Sequence, residues 1–169
     1  MTQDKLKEFV KYDKTTGVFI WKKVNKYTKY NLGKELGGLD ASTGYKTAFI
    51  DGKKYTQHRL AWLYVYGVWP KKHIDHVNHN RADNRIKNLR EVTHKENMRN
   101  KGISKKNTSG VTGVYYLKIT KKWYAQIRVD GNLKHLGYFK NKKDAINARK
   151  KEEEVNGFHK NHGAGGEKL

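Results

Sequence analysis

Residues 73 to 100 read HIDHVNHNRADNRIKNLREVTHKENMRN, and inside them Asp75 and His76 stand side by side in a very basic chain. The two side chains offer different chemistry. A hard cation held by an Asp carboxylate and an Asn amide oxygen keeps positions open for water and phosphate oxygens. A neighbouring His can take the proton from the attacking water. The reaction such a set serves is phosphodiester hydrolysis. An isolated Asp-His dipeptide is structural far more often than catalytic, so its surroundings must decide.

Those surroundings are ordered. HIDH reads as a short strand, and VTHKENMRN as a helix start, with Thr93 and Glu96 at the spacing of a capping box. Asn97 then sits about one turn inside that helix. Between strand and helix runs a loop of Asn, Asp and Arg, whose Asn side chains can tie down backbone turns. His73, His76 and His79 raise zinc as a rival. Three-residue spacing across a strand and a loop does not converge imidazoles as a helix would, so His73 and His79 are expected to face solvent or DNA. His58 is expected to be a satisfied structural histidine, with phosphate contact as the lesser reading.

The segment resembles the H-N-H endonucleases, whose ββα-metal motif runs Asp-His, a loop, a middle Asn, and a final His or Asn on the helix. His76 matches the first letter, Asn88 in KNLREVT the second and Asn97 the third. The resemblance implies that Asp75 and Asn97 hold the metal and that His76 is the general base. It makes Asn88 a pin for the loop, bonding backbone near His76. The wider pattern HRLAW…IDHVNHNRADNRIKNLREVT is similar to the subfamily common in phage genomes and mobile introns. His79 stands where that subfamily usually has Gly, and His tolerates positive φ less readily than Gly. Around such a centre Arg81, Arg85, Arg90 and Arg99 are expected to grip the phosphate backbone.

The charge agrees. Among 169 residues, 37 Lys and Arg stand against 16 Asp and Glu, a formal net charge of +21. That excess fits a polyanion partner, and Tyr and Trp dispersed among basic residues favour nucleic acid over lipid. No apolar run approaches a bilayer span and the start has no signal-peptide core, so a cytoplasmic protein is expected. The absence of Cys excludes disulfides and thiolate metal sites. Asn107–Thr108–Ser109 is read as a chance sequon.

The elements that must position the centre follow from pattern. LKEFVKYD is a short opening helix or turn, TTGVFIWKK a strand, and YKTAFIDGKKYTQH a hairpin about Asp51–Gly52. HRLAWLYVYG is apolar nearly all round and predicts a buried helix from about residue 58 to Gly67. Residues 100 to 113 are polar and rich in Gly, Ser, Asn and Lys, a linker. Beyond them GVYYLKI, WYAQIRV and LKHLGYF predict three strands with a tight turn at Asp130–Gly131. NKKDAINARKKEEEVNG predicts a helix capped by Asn141 and ended by Gly157, with Ala145, Ile146, Ala148 and Val155 laid on the sheet.

This C-terminal pattern, from SGVTGVYY to DAINARKKEEEVNG, resembles the APETALA-type DNA-binding domain of plant ethylene-response factors, also found fused to phage H-N-H nucleases. Alternation alone puts Ala125 and Ile127 on the helix side, and Tyr124, Gln126 and Arg128 outward. Gln126 suits adenine, Arg128 guanine or phosphate. The resemblance adds Tyr115, Leu117, Leu133 and His135 as base-facing positions.

The reading is therefore an α+β protein. It has a β-rich region at 1–57, a ββα-metal core at 58–100 and a linker at 101–111. A three-stranded antiparallel sheet with one helix follows at 112–160, and a flexible tail at 161–169. Its expected function is that of a site-specific, Mg²⁺- or Mn²⁺-dependent DNA endonuclease of homing type, monomeric, with double-stranded DNA as partner. Two other classes stand beside it: a DNA-binding regulator with an inactive nuclease core, and an RNA-binding accessory protein.

Overall fold

The computed structural model describes residues 1–23, 29–104 and 106–163. The chain is α+β, with four α-helices and several small antiparallel sheets among the described residues. It forms two compact units, Met1–Thr93 and His94–Leu169.

In the first unit, helix α1 (Gln3–Phe9) starts where Thr2 Oγ1 accepts the Lys5 N–H at 3.3 Å. It runs into the antiparallel pair β1 (Val10–Tyr12) and β2 (Phe19–Trp21). A second sheet has the order β3 (Gly38–Leu39), β4 (Lys46–Ile50), β5 (Lys53–Thr56). The β4–β5 turn is Asp51–Gly52, both residues at positive φ (53° and 72°), the backbone that matches strand twist in a two-residue hairpin. Helix α2 (Gln57–Tyr66) follows at once and stops at Gly67, whose left-handed backbone lets its N–H reach Leu63 O. It buries Gln57, His58, Leu60, Ala61 and Leu63, while Tyr66 is exposed. The helix predicted to be buried nearly all round therefore hides one face. The last pair is β6 (His73–His76) and β7 (Leu89–Val92).

One core joins these pieces: Leu6, Val10, Phe19, Leu36, Ile50, Leu60, Leu63, Ile74 and Leu89 belong to a single buried cluster. Tyr12 and Phe19 stack inside it at 4.5 Å. Each fully buried Leu or Phe contributes about 1.5–3 kcal/mol. The β6–β7 hairpin is therefore anchored through Ile74 and Leu89 to elements far away in sequence.

The second unit holds α3 (His94–Arg99), then an antiparallel sheet of order β10–β9–β8, comprising β8 (Val114–Leu117), β9 (Lys122–Val129) and β10 (Asn132–Phe139). Helix α4 (Lys142–Val155) packs on it. Val114, Ala125 and Ala145 form the centre, with Trp123, Leu136, Phe139 and Ile146 against them. Two helix expectations need correction. Val155 is 72% exposed, and the buried face continues from Ala145 through Arg149 and Glu153, one every four residues. Asn141 stands at the helix start but makes no cap bond to backbone; its amide donates to Asp144 Oδ2 at 3.4 Å.

The stretch expected to be a linker has structure of its own. Asn107 Oδ1 accepts the Gly110 N–H at 2.7 Å and its amide donates to Val111 O at 3.0 Å. Ser109 is buried. The expected tail lies outside the described residues beyond Gly163, and within them His162 is buried beside Arg149.

Gly17 tests how tightly the β1–β2 turn is locked to the loop that carries Asn84 and Arg85. Its φ is +76°, and a Cβ there would come within 2.4 Å of Arg85 N and 2.6 Å of the Asn84 carbonyl carbon. Gly17→Ala is expected to destabilise the first unit by about 2–3 kcal/mol, from positive φ plus backbone displacement. Urea denaturation should show the loss as a lower midpoint at unchanged slope.

Candidate active site

Strands β6 and β7 place the Asp-His pair. Their register sets Asp75 opposite Arg90 and His76 opposite Leu89. Asp75 and His76 are 8% and 4% exposed, so burial itself raises the stakes of any charge there. Asp75 Oδ2 accepts from Arg90 Nε at 3.0 Å and Nη2 at 2.8 Å. Arg90, expected on a phosphate, is thus committed across the hairpin to the carboxylate.

His76 is fixed from several sides. Its Nε2 lies 3.4 Å from Asn84 Oδ1; an amide oxygen only accepts, so Nε2 carries the hydrogen and the lone pair sits on Nδ1. Its ring packs edge-on against His58 (5.2 Å) and tilted against Tyr45 (5.8 Å). Burial pushes the His76 pKa down, against the upward pull of Asn84 and Asp75. The imidazole is neutral near pH 7, the form a base needs.

The loop 77–88 is held by amides. Asn88, buried in a 3-10 turn, accepts the Asn78 N–H at 3.0 Å and donates to Asp83 O at 2.9 Å. Asn78 donates to Asp83 Oδ2 at 2.7 Å and accepts the Asn80 N–H at 2.9 Å. His79 has φ +64°, the backbone its place in the resemblance requires. Tyr12 Oη donates to Asn84 O at 2.7 Å, and Ile86 N–H reaches Lys14 O at 3.3 Å. Asn84 Nδ2 lies 3.5 Å from Gln57 Oε1, and Gln57 in turn donates to Leu36 O. Sequence reasoning missed Tyr12, Tyr45, Gln57 and Asn84 because each is distant in sequence or one Asn among many. The crowding of Asn was the only available signal for Asn84.

The other expected residues distribute differently. Asn97 lies on α3, in the second unit. Arg85 pairs with Asp83, at 2.7 Å through Nε. Arg81 donates to Thr43 O at 2.8 Å and lies over the Tyr45 ring, and Arg99 reaches Asp130 at 3.4 Å. His73 is exposed at the strand start. Among the described residues no three of His, Cys, Asp or Glu gather in ligand geometry. His58 departs from expectation: Nε2 is 3.4 Å from Thr56 Oγ1, but Nδ1 is buried without a partner. The strand-to-helix turn at Thr56–Gln57 puts no acceptor or donor there.

On the second unit, the sheet face opposite α4 carries Tyr115, Leu117, Tyr124, Gln126, Arg128, Leu133 and His135, while Ala125 and Ile127 are buried on the other side. Gln126 Oε1 accepts the Tyr124 hydroxyl at 2.9 Å, and Arg128 donates to Gly131 O at 2.9 Å.

Residues 55–99 match the family model described as HNH endonuclease. That window holds Asp75, His76, Asn88, Asn97 and the clamped loop. A 76-residue stretch, 44% of this chain, is 33% identical to "Protein 3.8" of Escherichia phage T7 and spans 63% of that protein, less than two thirds. No solved structure matches. Residues 55–99 are thus an HNH endonuclease family domain. No helix among the described residues is long and apolar enough to cross a membrane.

Burial makes His58 a reporter of this site's integrity. Its pKa is lowered from 6.5 to about 3, chiefly by burial and then by His76 and Arg59. The unfolded chain binds a proton below about pH 6.5 and the folded chain does not, so stability is lost as pH falls through that window. The slope from this group is up to about 1.4 kcal/mol per pH unit. His58→Phe should flatten the pH dependence of the urea midpoint between about pH 6.5 and 4 relative to wild type.

Proposed function

We propose that the chain is a site-specific, metal-dependent DNA endonuclease of homing type, working as a monomer in the cytoplasm of a phage or mobile-element host. The observation that carries this reading is His76: a buried, neutral imidazole next to Asp75, anchored through Nε2 to Asn84, within the HNH-matched segment. In this reading His76 Nδ1 accepts a proton from water, and Asn84 keeps the ring from turning while it does so. Asn88 keeps the loop 77–88 from moving the histidine away.

The donor types suit a hard divalent cation: a carboxylate and an amide oxygen, with no thiolate in the chain. Asp75 and Asn97 would hold Mg²⁺ or Mn²⁺. When bound, the ion supplies Lewis-acid stabilisation of charge on the phosphate and on the departing oxygen. Arg90, paired with Asp75 through two hydrogen bonds, orients the carboxylate.

The second unit supplies DNA grip and site choice in this reading. Its sheet-and-helix order supports the APETALA-type likeness, with Tyr115, Leu117, Tyr124, Gln126, Arg128, Leu133 and His135 as contact residues. The contacts of Arg81 and Arg99 are solvent-exposed and worth little, so phosphates can replace them, whereas Arg85 is held by two bonds to the nearly buried Asp83 carboxylate.

Two outcomes test the reading. His76→Ala should abolish cleavage of supercoiled plasmid in Mg²⁺ while duplex affinity stays nearly intact, and chelation of the metal should do the same to wild type. Retention of near wild-type turnover by His76→Ala would show the mechanism to be wrong. Second, duplex affinity should fall roughly a thousandfold between about 50 and 200 mM salt, as for six or more phosphate contacts. A fluorescence anisotropy titration across salt measures that slope.

A further inference from the structure

Strand β10 breaks the alternation its sequence suggests. His135 pairs with Gln126, but Gly137 pairs with Ala125 and Tyr138 with Tyr124, so Leu136 is an extra residue in a bulge. Gly137 makes this possible: its φ is +132°, and a Cβ there would press on the Phe139 ring at 3.2 Å. Without the bulge, His135 and Tyr138 would face opposite sides, and Phe139 would point outward. With it, Leu136 and Phe139 pack on the core, and Tyr138 joins His135 on the open face.

The result is a continuous patch of rings. Tyr124 stacks with His135 (centroids 4.9 Å, planes 19° apart), Tyr138 lies 5.4 Å from Tyr124 and 4.9 Å from His135, and Tyr115 is 6.4 Å from Tyr124. Tyr138 and Tyr115 are 55% and 45% exposed, on the side of the sheet opposite α4. The polar residues among them point to cationic, not acidic, surroundings. Lys122 and Arg128 share the face, Lys118, Lys121 and Lys140 are exposed at strand ends, and the acidic residue at the β9–β10 turn, Asp130, is paired with Lys95 and Arg99. Gln126 and Arg128 are the groups a duplex reader would use on base edges. Both already have partners within the sheet.

Rings in a row within a cationic surface match the chemistry of unpaired bases, whose π-faces are accessible, rather than that of a closed duplex, whose base faces are covered. We propose that the outer face of β8–β9–β10 is a stacking platform for an unpaired DNA strand, with Tyr138 and Tyr115 as the exposed stacking surfaces and Tyr124 and His135 as the stack that braces them. The platform holds bases that have left the helix, and duplex affinity does not depend on the Tyr138 ring. The proposal rests on the reading that the second unit contacts DNA; it does not depend on the cleavage chemistry.

The test uses the full chain and four labelled probes about twelve nucleotides long: oligothymidylate, oligouridylate, the thymidylate sugar-phosphate backbone without bases, and a duplex. Wild type is expected to bind oligothymidylate about tenfold more tightly than the abasic strand. Tyr138→Ala should remove that preference while changing duplex affinity less than about twofold, and Tyr138→Phe, which keeps the ring, should retain it. Equal binding of abasic and thymidylate strands by wild type overturns the platform without any variant having to fold. Loss of duplex affinity by Tyr138→Ala equal to the loss for single strand makes this a duplex surface and overturns it too. Tighter binding of oligouridylate than of oligothymidylate overturns the assignment to DNA. Plasmid cleavage by wild type, measured on the same preparation, reports on the nuclease reading separately: it can fail while the platform holds, and the reverse.

Discussion

The hydrogen bond from His76 Nε2 to Asn84 Oδ1 is the interaction on which the rest of the first unit converges. It chooses the tautomer of a buried imidazole, and so decides which nitrogen bears the lone pair. Asn84 can play this part only because it is itself immobile. Tyr12 holds its carbonyl, Gln57 meets its amide, and the Gly17 turn presses on its backbone. The elements before the HNH-matched segment are therefore a buttress, since a residue-long shift of the loop would carry Asn84 away from His76. Nothing in that buttress needs to touch DNA for it to matter.

Burial of polar groups runs through both units. In the first, Gln57, Asp75, His76, Asn84 and Asn88 are all buried, and in the second Arg149, Glu153 and His162 are. A buried polar group costs about 1–3 kcal/mol if left unpaired, so these networks are stabilising only when nearly complete. Asn88 shows completion, with both ends of its amide on loop backbone. Arg149 shows the opposite: Nε reaches Thr112 O and Glu153, while Nη1 is buried with no partner. The small apolar centre of the second unit, three fully buried residues with a ring of partly buried ones, leaves such polar contacts to hold α4 on the sheet.

The net charge of +21 and the internal pairing of the arginines are compatible because lysines carry most of the excess. Arg85 and Arg90 are held by nearly buried carboxylates and Arg81 and Arg99 by exposed partners, for a planar guanidinium makes several directed bonds where an ammonium makes a point contact. Arg90 is the clearest case, since the β6–β7 register sets it directly opposite Asp75.

Local signals determined much of this protein. Two-residue Asp-Gly turns at 51–52 and 130–131, glycine stops at Gly67 and Gly157, and alternation in WYAQIRV all act over a few residues, and the structure follows them. The placement of Asp75 and His76 on a strand, and of Asn88 in the loop, was legible for the same reason. What sequence could not decide depends on residues far apart meeting. The Asn84–Tyr12–Gln57 network joins three separate elements, so no local pattern announces it. The outward turn of Tyr138 depends on a bulge that only pairing with β9 creates, because a single strand has no register until its partner supplies one. Val155 fell on the exposed side of α4 because Arg149 and Glu153 found partners inside. Period alone cannot show that a charged face will be the buried one, since that outcome needs Thr112 and His162 to be in reach.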